Sequence, residues 1–513
     1  MAPKPYIIKS LPGVKRDGTR FENGFYVDGQ WMRFQRGLPR KMWGYRRISN
    51  EVPEICRGLN GYNQDGTLHL ATGSKSYVTQ FEINTNGLVT AQYNRTPSGF
   101  TPNDAHLWTF DVSYDAVGVD QGGYLFAHPG HNLNQIDSTE TANLYWGLVN
   151  GTSALALNTA PAVSGGVVSL YPYVFVYGSD GYVAWNVENS PNDWTGTGSG
   201  EAYITSQKIV AALPLRAGPG NAPAGLFWSL DSLIRATFVG GDAVFQFDTI
   251  TSQSSILSSQ SPIEYDGIFY WVGVDRFLQF NGVVREVPNQ LNQNWFFDNL
   301  NYAQRQKVFA YKVPRFGEIW WCYPRGNATE CTHAVIYNVR ENTWYDTELP
   351  NGGRSCGKFV TVFQYPLTTG IELAKDGFYK LWQMEYGLDE IDGNIINSIP
   401  SYFQTADIAA VADQQQPQNR SLRVTYIEPD FVQNGVMTAQ VTGRANARSP
   451  EVTSDEHEFV ALQDVVTPEQ QVLFFKETRR EMRFIFKSNT VGGDYQMGQC
   501  IAHIETSDGT VLG

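Results

Sequence analysis

The chain has 513 residues, a formal net charge of −13, 42% hydrophobic residues, 13% aromatic residues and 49 glycines. This hydrophobic content excludes a largely disordered chain, and the lack of any apolar run of about 20 residues excludes a membrane-spanning helix. Many aromatic residues and glycines beside only 17% charged residues are typical of short β-strands joined by tight turns. We therefore expect an all-β protein with no membrane span, long enough for two domains.

The first 50 residues differ in charge from the rest of the chain. They contain eleven lysines and arginines and three acidic residues, a net charge of +8, which leaves −21 for residues 51–513. Aromatic residues interleave with the basic ones, as in the cores of protein interfaces. We expect residues 1–50 to be an arm that becomes ordered on an acidic surface of another protein. The alternatives are a solvated tail and a segment that binds nucleic acid. The residues expected to make the contact are Arg33, Phe34, Arg36, Arg40, Lys41 and Trp43. Residues 1–18 lack the apolar segment of a secretory signal peptide.

A repeated hairpin pattern fills residues 51–395. It is clearest at residues 174–186, where two runs of β-branched and aromatic residues flank Gly178-Ser179-Asp180-Gly181. Glycine allows positive φ and the Ser and Asp side chains bond their own backbone, which favours a hairpin turn. The same pattern returns at residues 71–82, 122–137, 240–248, 271–282, 333–345 and 373–384. The turns are roughly 35–60 residues apart, which brackets the blade length of β-propellers, so we expect a propeller of six to eight blades.

Two segments interrupt this pattern. Residues 213–225 are rich in Pro, Gly and Ala, which predicts an exposed excursion between blades. Near residues 287–308, Leu291, Trp295, Phe296 and Leu300 recur at helical spacing. This spacing predicts one short helical insertion that packs on the propeller face.

Beyond about residue 395 the pattern changes again. Gln414-Gln415-Gln416-Pro417 is typical of a domain boundary. Several later segments alternate apolar and polar residues at period two, which predicts strands with one buried face. These segments are 423–430, 436–444, 472–477, 482–487 and 497–505. We expect residues 396–513 to form a separate antiparallel β-sandwich.

Residues that could carry catalysis or hold a metal form no recognisable arrangement. His128 and His131 fall in one turn without a neighbouring acid, and the other five histidines are scattered singly. Motifs for a nucleophile elbow, a phosphate-binding loop or a dinucleotide site are missing. The nearest match to the Asp-box of sialidase-type propellers, at residues 179–185, lacks one residue and does not recur. We expect no enzymatic activity, no cofactor and no metal, while a glycosidase with paired carboxylates stays open.

The five cysteines also carry information about the compartment. Their number is odd and they are scattered without CxxC spacing, at positions 56, 322, 331, 356 and 500. This predicts reduced, mostly buried thiols in a protein made in a cytoplasm. A bridge between Cys322 and Cys331 across a hairpin is the alternative.

Four segments spread along the chain carry a family resemblance. They are NGFYVDG at 23–29 followed by Arg33, Phe34 and Gly37; FGEIWWCYP at 316–324 followed by HAVIYNVRENTW at 333–344; RVTYIEPDF at 423–431; and RREMRF at 479–484 followed by SN at 488–489 and GGDYQMG at 492–498. In this order they resemble the tail nozzle proteins of short-tailed bacteriophages, also called packaged-DNA stabilisation or tail hub proteins.

The resemblance implies a β-propeller protein that forms a homo-hexameric tube below the portal and its adaptor, the head-to-tail connector. Such a protein assembles in the host cytoplasm and resides in the tail of the virion. The tube retains the packaged genome, conducts double-stranded DNA during ejection, holds a needle or plug at its tip and offers docking surfaces to tailspikes or tail fibres. No catalytic residues are implied. A glycan-binding or glycan-cleaving propeller that acts as a receptor-binding tail protein, and a propeller scaffold for host proteins, are the alternatives.

Overall fold

The computed structural model describes residues 3–19, 24–64, 66–115, 122–215, 222–361, 365–408, 421–446, 448–467 and 472–506. Strands account for 54% of the chain and helices for 5%. The prediction of an all-β protein is therefore confirmed. Part of the loop at 213–225 and the boundary predicted at residues 414–417 lie outside the described residues. Within the described ranges, no helix has the length and apolar character needed to cross a membrane.

The N-terminal segment supplies strands to several sheets. They are β1 (Lys4–Ile7), β2 (Leu11–Val14), β3 (Phe25–Tyr26), β4 (Asp28–Gln30), β5 (Met32–Gln35), β6 (Leu38–Lys41) and β7 (Tyr45–Val52). Strands β2 and β3 form a small parallel pair.

Within the described ranges, residues 59–348 form six antiparallel four-stranded sheets, in each of which the strands follow one another in chain order. Sheet 1 contains β8 (Leu59–Gln64), β9 (Thr67–Gly73), β10 (Val78–Ile83) and β11 (Val89–Asn94). Sheet 2 contains β12 (His106–Asp115), β13 (Gly122–Asn132), β14 (Tyr145–Leu148) and β15 (Ala156–Leu157). Sheet 3 contains β16 (Gly166–Leu170), β17 (Tyr173–Tyr177), β18 (Tyr182–Trp185) and β19 (Gly200–Tyr203).

The next three sheets repeat the arrangement. Sheet 4 contains β20 (Ile209–Pro214), β21 (Ala224–Ser229), β22 (Leu233–Gly240) and β23 (Val244–Thr251). Sheet 5 contains β24 (Ile263–Tyr265), β25 (Ile268–Val272), β26 (Phe277–Phe280) and β27 (Val284–Glu286). Sheet 6 contains β28 (Phe309–Val313), β29 (Glu318–Tyr323), β30 (His333–Asn338) and β31 (Thr343–Glu348).

Sheet 7 is completed by a strand from the N-terminal segment. It contains β32 (Arg354–Phe359), β33 (Pro366–Leu373), β34 (Tyr379–Met384), β35 (Glu390–Asp392) and β36 (Ile395–Asn397). Strand β7 lies between β34 and β35, antiparallel to β34 from Met384↔Tyr45 to Tyr379↔Val52 and parallel to β35. More than 300 residues separate these partners along the chain.

Six pairs of first strands from neighbouring sheets adjoin each other. Strand β8 contacts β12, β12 contacts β16, β16 contacts β20, β24 contacts β28, β28 contacts β32, and β32 contacts β8. Sheets 4 and 5 share an apolar core in which the rings of Trp228 and Trp271 lie 5.7 Å apart. Sheet 7 thus adjoins sheet 1, the sheet that lies farthest from it in sequence.

The C-terminal residues form three further sheets together with N-terminal strands. Their strands are β37 (Ser401–Gln404), β38 (Leu422–Glu428), β39 (Phe431–Asn434), β40 (Met437–Arg444), β41 (Val452–Thr453), β42 (His457–Phe459), β43 (Leu473–Arg479), β44 (Glu481–Ser488), β45 (Asp494–Met497) and β46 (Ile501–Thr506). The sheet orders are β1-β46-β38-β43, β4-β37-β44-β40-β41 with β42 beside β40, and β39-β45-β6-β5.

The division of the chain therefore differs from the expected one. Residues 1–50 were expected to be a separate arm, but β1, β4 and β6 pair with C-terminal strands, β5 pairs with β6, and β7 pairs within sheet 7. The predicted unit 396–513 likewise pairs with these strands rather than only with itself. Pairing partners so far apart in sequence leave no local signal, whereas charge and aromatic content are visible locally.

The helical insertion is confirmed. Helix α1 spans Gln293–Asn299, and a 3₁₀ helix spans Tyr302–Lys307. Phe296 of α1 is buried, with its ring 5.3 Å from that of Phe277 in sheet 5 and 4.6 Å from that of Tyr323 in sheet 6. The insertion thus packs against both sheets.

All but one of the predicted hairpins join two paired strands. The exception is 122–137, since residues 122–132 form the single strand β13. Pairing shifts between His131↔Leu107 and His128↔Thr109, so Pro129 and Gly130 face one residue of β12. These two residues therefore mark a β-bulge rather than a turn.

Candidate functional site

The hairpin formed by β5 and β6 carries most of the residues that were expected to bind a partner. Its two-residue turn consists of Arg36 and Gly37, which have φ values of 55° and 73°. The backbone amides of both residues donate to the carboxylate of Glu341, at 2.9 and 3.0 Å. Glu341 lies in the turn between β30 and β31, so this contact fixes the hairpin to sheet 6.

Arg33 is fully buried and is held by two carboxylates of this chain. Its Nε lies 2.9 Å from Glu318 Oε1, and its two terminal nitrogens donate to Glu385 at 2.8 and 2.5 Å. Glu318 also accepts from the Trp320 indole at 2.8 Å and the Tyr345 hydroxyl at 2.7 Å. Burial lowers the pKa of Arg33, but the two carboxylates outweigh it and raise that pKa. Burial raises the pKa of Glu318 although Arg33 opposes the shift.

Phe34 and Lys41 are buried as well. The Phe34 ring lies 5.3 Å from that of Tyr26 and 5.6 Å from that of Tyr345. The Lys41 ammonium donates to the Gly493 carbonyl at 2.8 Å, and burial lowers the pKa of Lys41 although Asp389 and Asp494 oppose the shift. Arg33, Phe34 and Lys41 thus hold β5 and β6 inside the molecule and present no surface to a partner.

Other basic residues of the N-terminal segment also find partners inside the chain. Arg16 pairs with Asp28 at 2.5 Å and Asp346 at 3.0 Å. Arg47 pairs with Asp392 at 2.8 Å. Arg16, Arg33 and Arg47 of residues 1–50 thus form ion pairs with acidic residues that lie far beyond this segment in the chain, which helps to hold the segment in the fold.

The exposed members of the predicted contact set belong to a cluster that we call the arginine patch: Arg36, Arg40, Trp43, Arg315 and Arg340. Arg36, Arg315 and Arg340 are exposed, and Arg40 and Trp43 are half-buried. The Arg315 guanidinium lies 3.9 Å from the centre of the Trp43 ring, and Arg340 donates to the carbonyls of Arg315 and Pro314 at 2.7 Å each.

Two acidic side chains face the arginine patch. The Glu341 carboxylate is engaged by the turn amides, as described above. Burial raises the pKa of Asp494 although Arg40 opposes the shift. Four guanidinium groups beside two carboxylates leave a positive surface. Sequence reasoning found Arg36, Arg40 and Trp43 but missed Arg315 and Arg340, because they follow the hairpin by more than 270 residues.

A cavity of about 420 Å³ lies where the first strands of the sheets meet, and residues at or just before the first strand of every one of the seven sheets line it. Its charged residues are Asp111, Glu264, Lys312 and Lys358. Asp111 accepts from the amides of Ser169 at 2.7 Å and Val112 at 2.8 Å.

The two lysines of the cavity differ in their partners. Lys312 donates to the carbonyl and the carboxylate of Glu264 at 2.7 and 3.1 Å. None of the described residues makes a hydrogen bond or an ion pair with the Lys358 ammonium group. The pKa of Lys358 is lowered, chiefly by burial. The Lys312 charge adds to this shift, and the Asp111 carboxylate opposes it.

His128 and His131 flank the Pro129-Gly130 bulge of β13 and are buried there. The Nε2 atom of His128 lies 3.0 Å from the Ala142 carbonyl, and the amide of Gly130 donates to Nδ1 at 3.0 Å. Burial lowers the pKa of His128 to about 4 and lowers that of His131 as well. In the part of the chain that the structure describes, no group of three His, Cys, Asp or Glu side chains is placed to hold a metal ion.

All five cysteines are buried free thiols, as predicted. Cys322 and Cys331 are not bridged. The Cys331 thiol donates to the Lys307 carbonyl at 3.1 Å, and burial raises the pKa of both thiols.

Comparison with known proteins adds no identification. No protein-family model matches the chain, and no curated protein is significantly similar to it.

Proposed function

We propose that this chain is a structural protein of the tail of a short-tailed bacteriophage. Its seven sheets would be the blades of a closed β-propeller, with β7 completing the last blade. Several copies, six by the family resemblance, would form a tube below the portal and adaptor. This tube would retain the packaged DNA, conduct it during ejection, and carry a needle or plug and tailspikes or tail fibres.

The observation that carries the proposal is the convergence of the four resembling segments. Phe34 from the first segment contacts Tyr345, which follows the second, at 5.6 Å between ring centres. Phe431 from the third contacts Tyr495 from the fourth at 6.3 Å. All four segments contribute to one apolar core. This shared core supports treating the four segments as one structural unit in the proposal.

The size of the central cavity bears on where DNA would pass. If the cavity of about 420 Å³ were a sphere, it would be about 9 Å across. The major and minor grooves of B-DNA are together about 16 Å deep, so the duplex is wider than the cavity. A duplex therefore cannot pass between the inner strands of one copy. We place the conduit between copies, in the bore of the ring.

The arginine patch supports docking to an acidic protein surface. It joins exposed guanidinium groups to a half-buried tryptophan, a combination that is enriched where proteins bind each other. An acidic face of the adaptor would match it in charge. This assignment keeps Arg36, Arg40 and Trp43 from the sequence prediction and adds Arg315 and Arg340.

The proposal is tested by the mass and shape of the assembly. We expect native mass spectrometry to detect a closed oligomer, alone or after mixing with portal–adaptor complex, and electron micrographs to show it seated below the adaptor. Particles made without the protein should lose their DNA. A protein that stays monomeric with the complex and instead binds or cleaves host glycans would support the receptor-binding alternative and overturn the proposal.

A further inference from the structure

The central cavity contains a cation that no described residue neutralises by direct contact. Lys312, the other lysine there, is engaged by Glu264. The Asp111 carboxylate is engaged by two backbone amides. Lys358 keeps exposed surface although it lies among the inner strands, as a side chain does when it points into an internal cavity. Its three N–H donors are therefore available to a ligand.

The walls and the size of the cavity fit a small organic molecule. A volume of about 420 Å³ lies within the range of small-molecule sites, which is roughly 300–1,000 Å³. Apolar atoms supply somewhat more of the lining surface than polar atoms do, and the apolar residues of the lining include Phe110, Leu213 and Ile263. An apolar cavity with few polar groups is the usual composition of such sites.

The charge of the cavity selects the class of ligand. A single available ammonium group matches one negative charge, while Asp111 and Glu264 would repel a second. Apolar walls favour a ligand with an apolar body over an inorganic ion. We propose that the central cavity binds a small organic carboxylate, whose carboxylate group pairs with Lys358 and whose apolar part packs against the inner strands. This inference does not depend on the proposed tail function.

The test uses the full chain and three probes that differ in one property each. Benzoate supplies a carboxylate on an apolar ring, benzamide is similar in size and shape but neutral, and inorganic phosphate is an anion without an apolar body. Isothermal titration should show saturable benzoate binding at least about tenfold tighter than that of benzamide or phosphate, a difference of about 1.4 kcal/mol. Thermal unfolding should show a higher Tm with benzoate, since it binds the folded state.

Three variants locate the site. Lys358→Met should lose the preference for benzoate over benzamide, and Lys358→Arg should retain it because the charge stays. Lys476→Met, which removes an exposed lysine from β43, should bind as the unaltered protein does. Far-ultraviolet circular dichroism establishes that each variant is folded. No saturable benzoate binding to the folded protein, equal binding by Lys358→Met, or tighter binding of phosphate would each overturn the proposal.

Discussion

At the scale of single residues, the turn between β17 and β18 requires positive φ at one of its two glycines, Gly181. Gly181 has φ +66, and a Cβ atom there would lie 2.0 Å from the Thr205 carbonyl oxygen. Gly178, which was also expected to need positive φ, has φ −174 and is extended. The expectation of positive φ is therefore confirmed for Gly181 and wrong for Gly178.

We predict that Gly181→Ala destabilises the protein by about 1–3 kcal/mol, through backbone strain together with the clash at Thr205. Gly377→Ala is the matched control, because Gly377 has φ +85 but open space where the Cβ would lie. Urea unfolding should give a clearly smaller loss for Gly377→Ala. Equal losses would show that the Thr205 contact contributes nothing.

A second residue-scale prediction concerns pH. The pKa of His128 is about 4 in the folded protein, whereas an unfolded histidine titrates near 6.5. Below pH 6.5 the unfolded state binds a proton that the folded state excludes, so stability falls as the pH drops from about 6.5 towards about 4. Protonation at Nδ1 would also remove the acceptor of the Gly130 amide.

Replacing His128 with Gln should therefore lower the slope of unfolding free energy against pH by about 1 kcal/mol per pH unit between pH 6 and 5. The measurement is urea unfolding at several pH values. Between about pH 8 and 9 His128 is neutral in both the folded and the unfolded state, so the two proteins should show the same slope there. An unchanged slope between pH 6 and 5 would contradict the burial of a neutral imidazole.

At the scale of elements, sequence reasoning succeeded where the signal is local. Leu291, Trp295, Phe296 and Leu300 recur at helical spacing, so the helical insertion at α1 could be predicted. The hairpin predicted at residues 122–137 was wrong, because Pro129 and Gly130 are residues that favour a turn but also occur at a β-bulge. The pairing of β7 with β34 could not be predicted, since nothing near either strand records its partner.

The buried ion cluster of Arg33, Glu318 and Glu385 also could not be predicted from the sequence. Arg33 was predicted to contact a partner because a buried arginine and an interfacial arginine look alike in sequence. Its two carboxylates are those of Glu318 in β29 of sheet 6 and of Glu385, which directly follows β34 of sheet 7. Only the fold brings these three residues together.

The integration of β7 leads to an element-scale prediction. Ile48 of β7 is buried in a core with Leu381 and Phe81, so Ile48→Ala should cost about 2–5 kcal/mol. Ile395→Ala on β36 of the same sheet is the control, since Ile395 is 60% exposed and its loss should cost within about 0.5 kcal/mol. Both are measured by urea unfolding. If residues 1–50 were an arm that orders only on a partner, Ile48→Ala would cost as little as the control.

At the scale of the whole molecule, the arginine patch is the surface on which the proposed docking depends. We predict that replacing Arg36, Arg40 and Arg315 together with Glu prevents incorporation into particles, because reversed charges would repel an acidic adaptor surface. The isolated variant should keep its circular dichroism spectrum. The matched control replaces Arg235, Arg276 and Arg285, which are exposed on sheets 4 and 5, with Glu. Normal incorporation of the patch variant, or equal loss in the control, would rule out this docking surface.

The charge of the whole chain leads to the last prediction, which concerns DNA. Each phosphate contact made by a basic side chain adds affinity through counterion release, so a conduit rich in available Lys and Arg would hold the genome. This chain carries −13 overall, and many of its basic side chains are paired with acids of the same chain. A ring of such copies would repel the phosphate backbone and let DNA slide, with retention left to a plug.

We therefore expect the purified protein to show negligible binding to duplex DNA at physiological salt in fluorescence anisotropy. At low salt, binding through the four arginines of the patch would give a slope of log K against log salt no steeper than about −4, and the patch variant should remove it. Tight binding with a steeper salt dependence, or binding that survives in the patch variant, would contradict the sliding conduit, because the wall itself would then hold the genome.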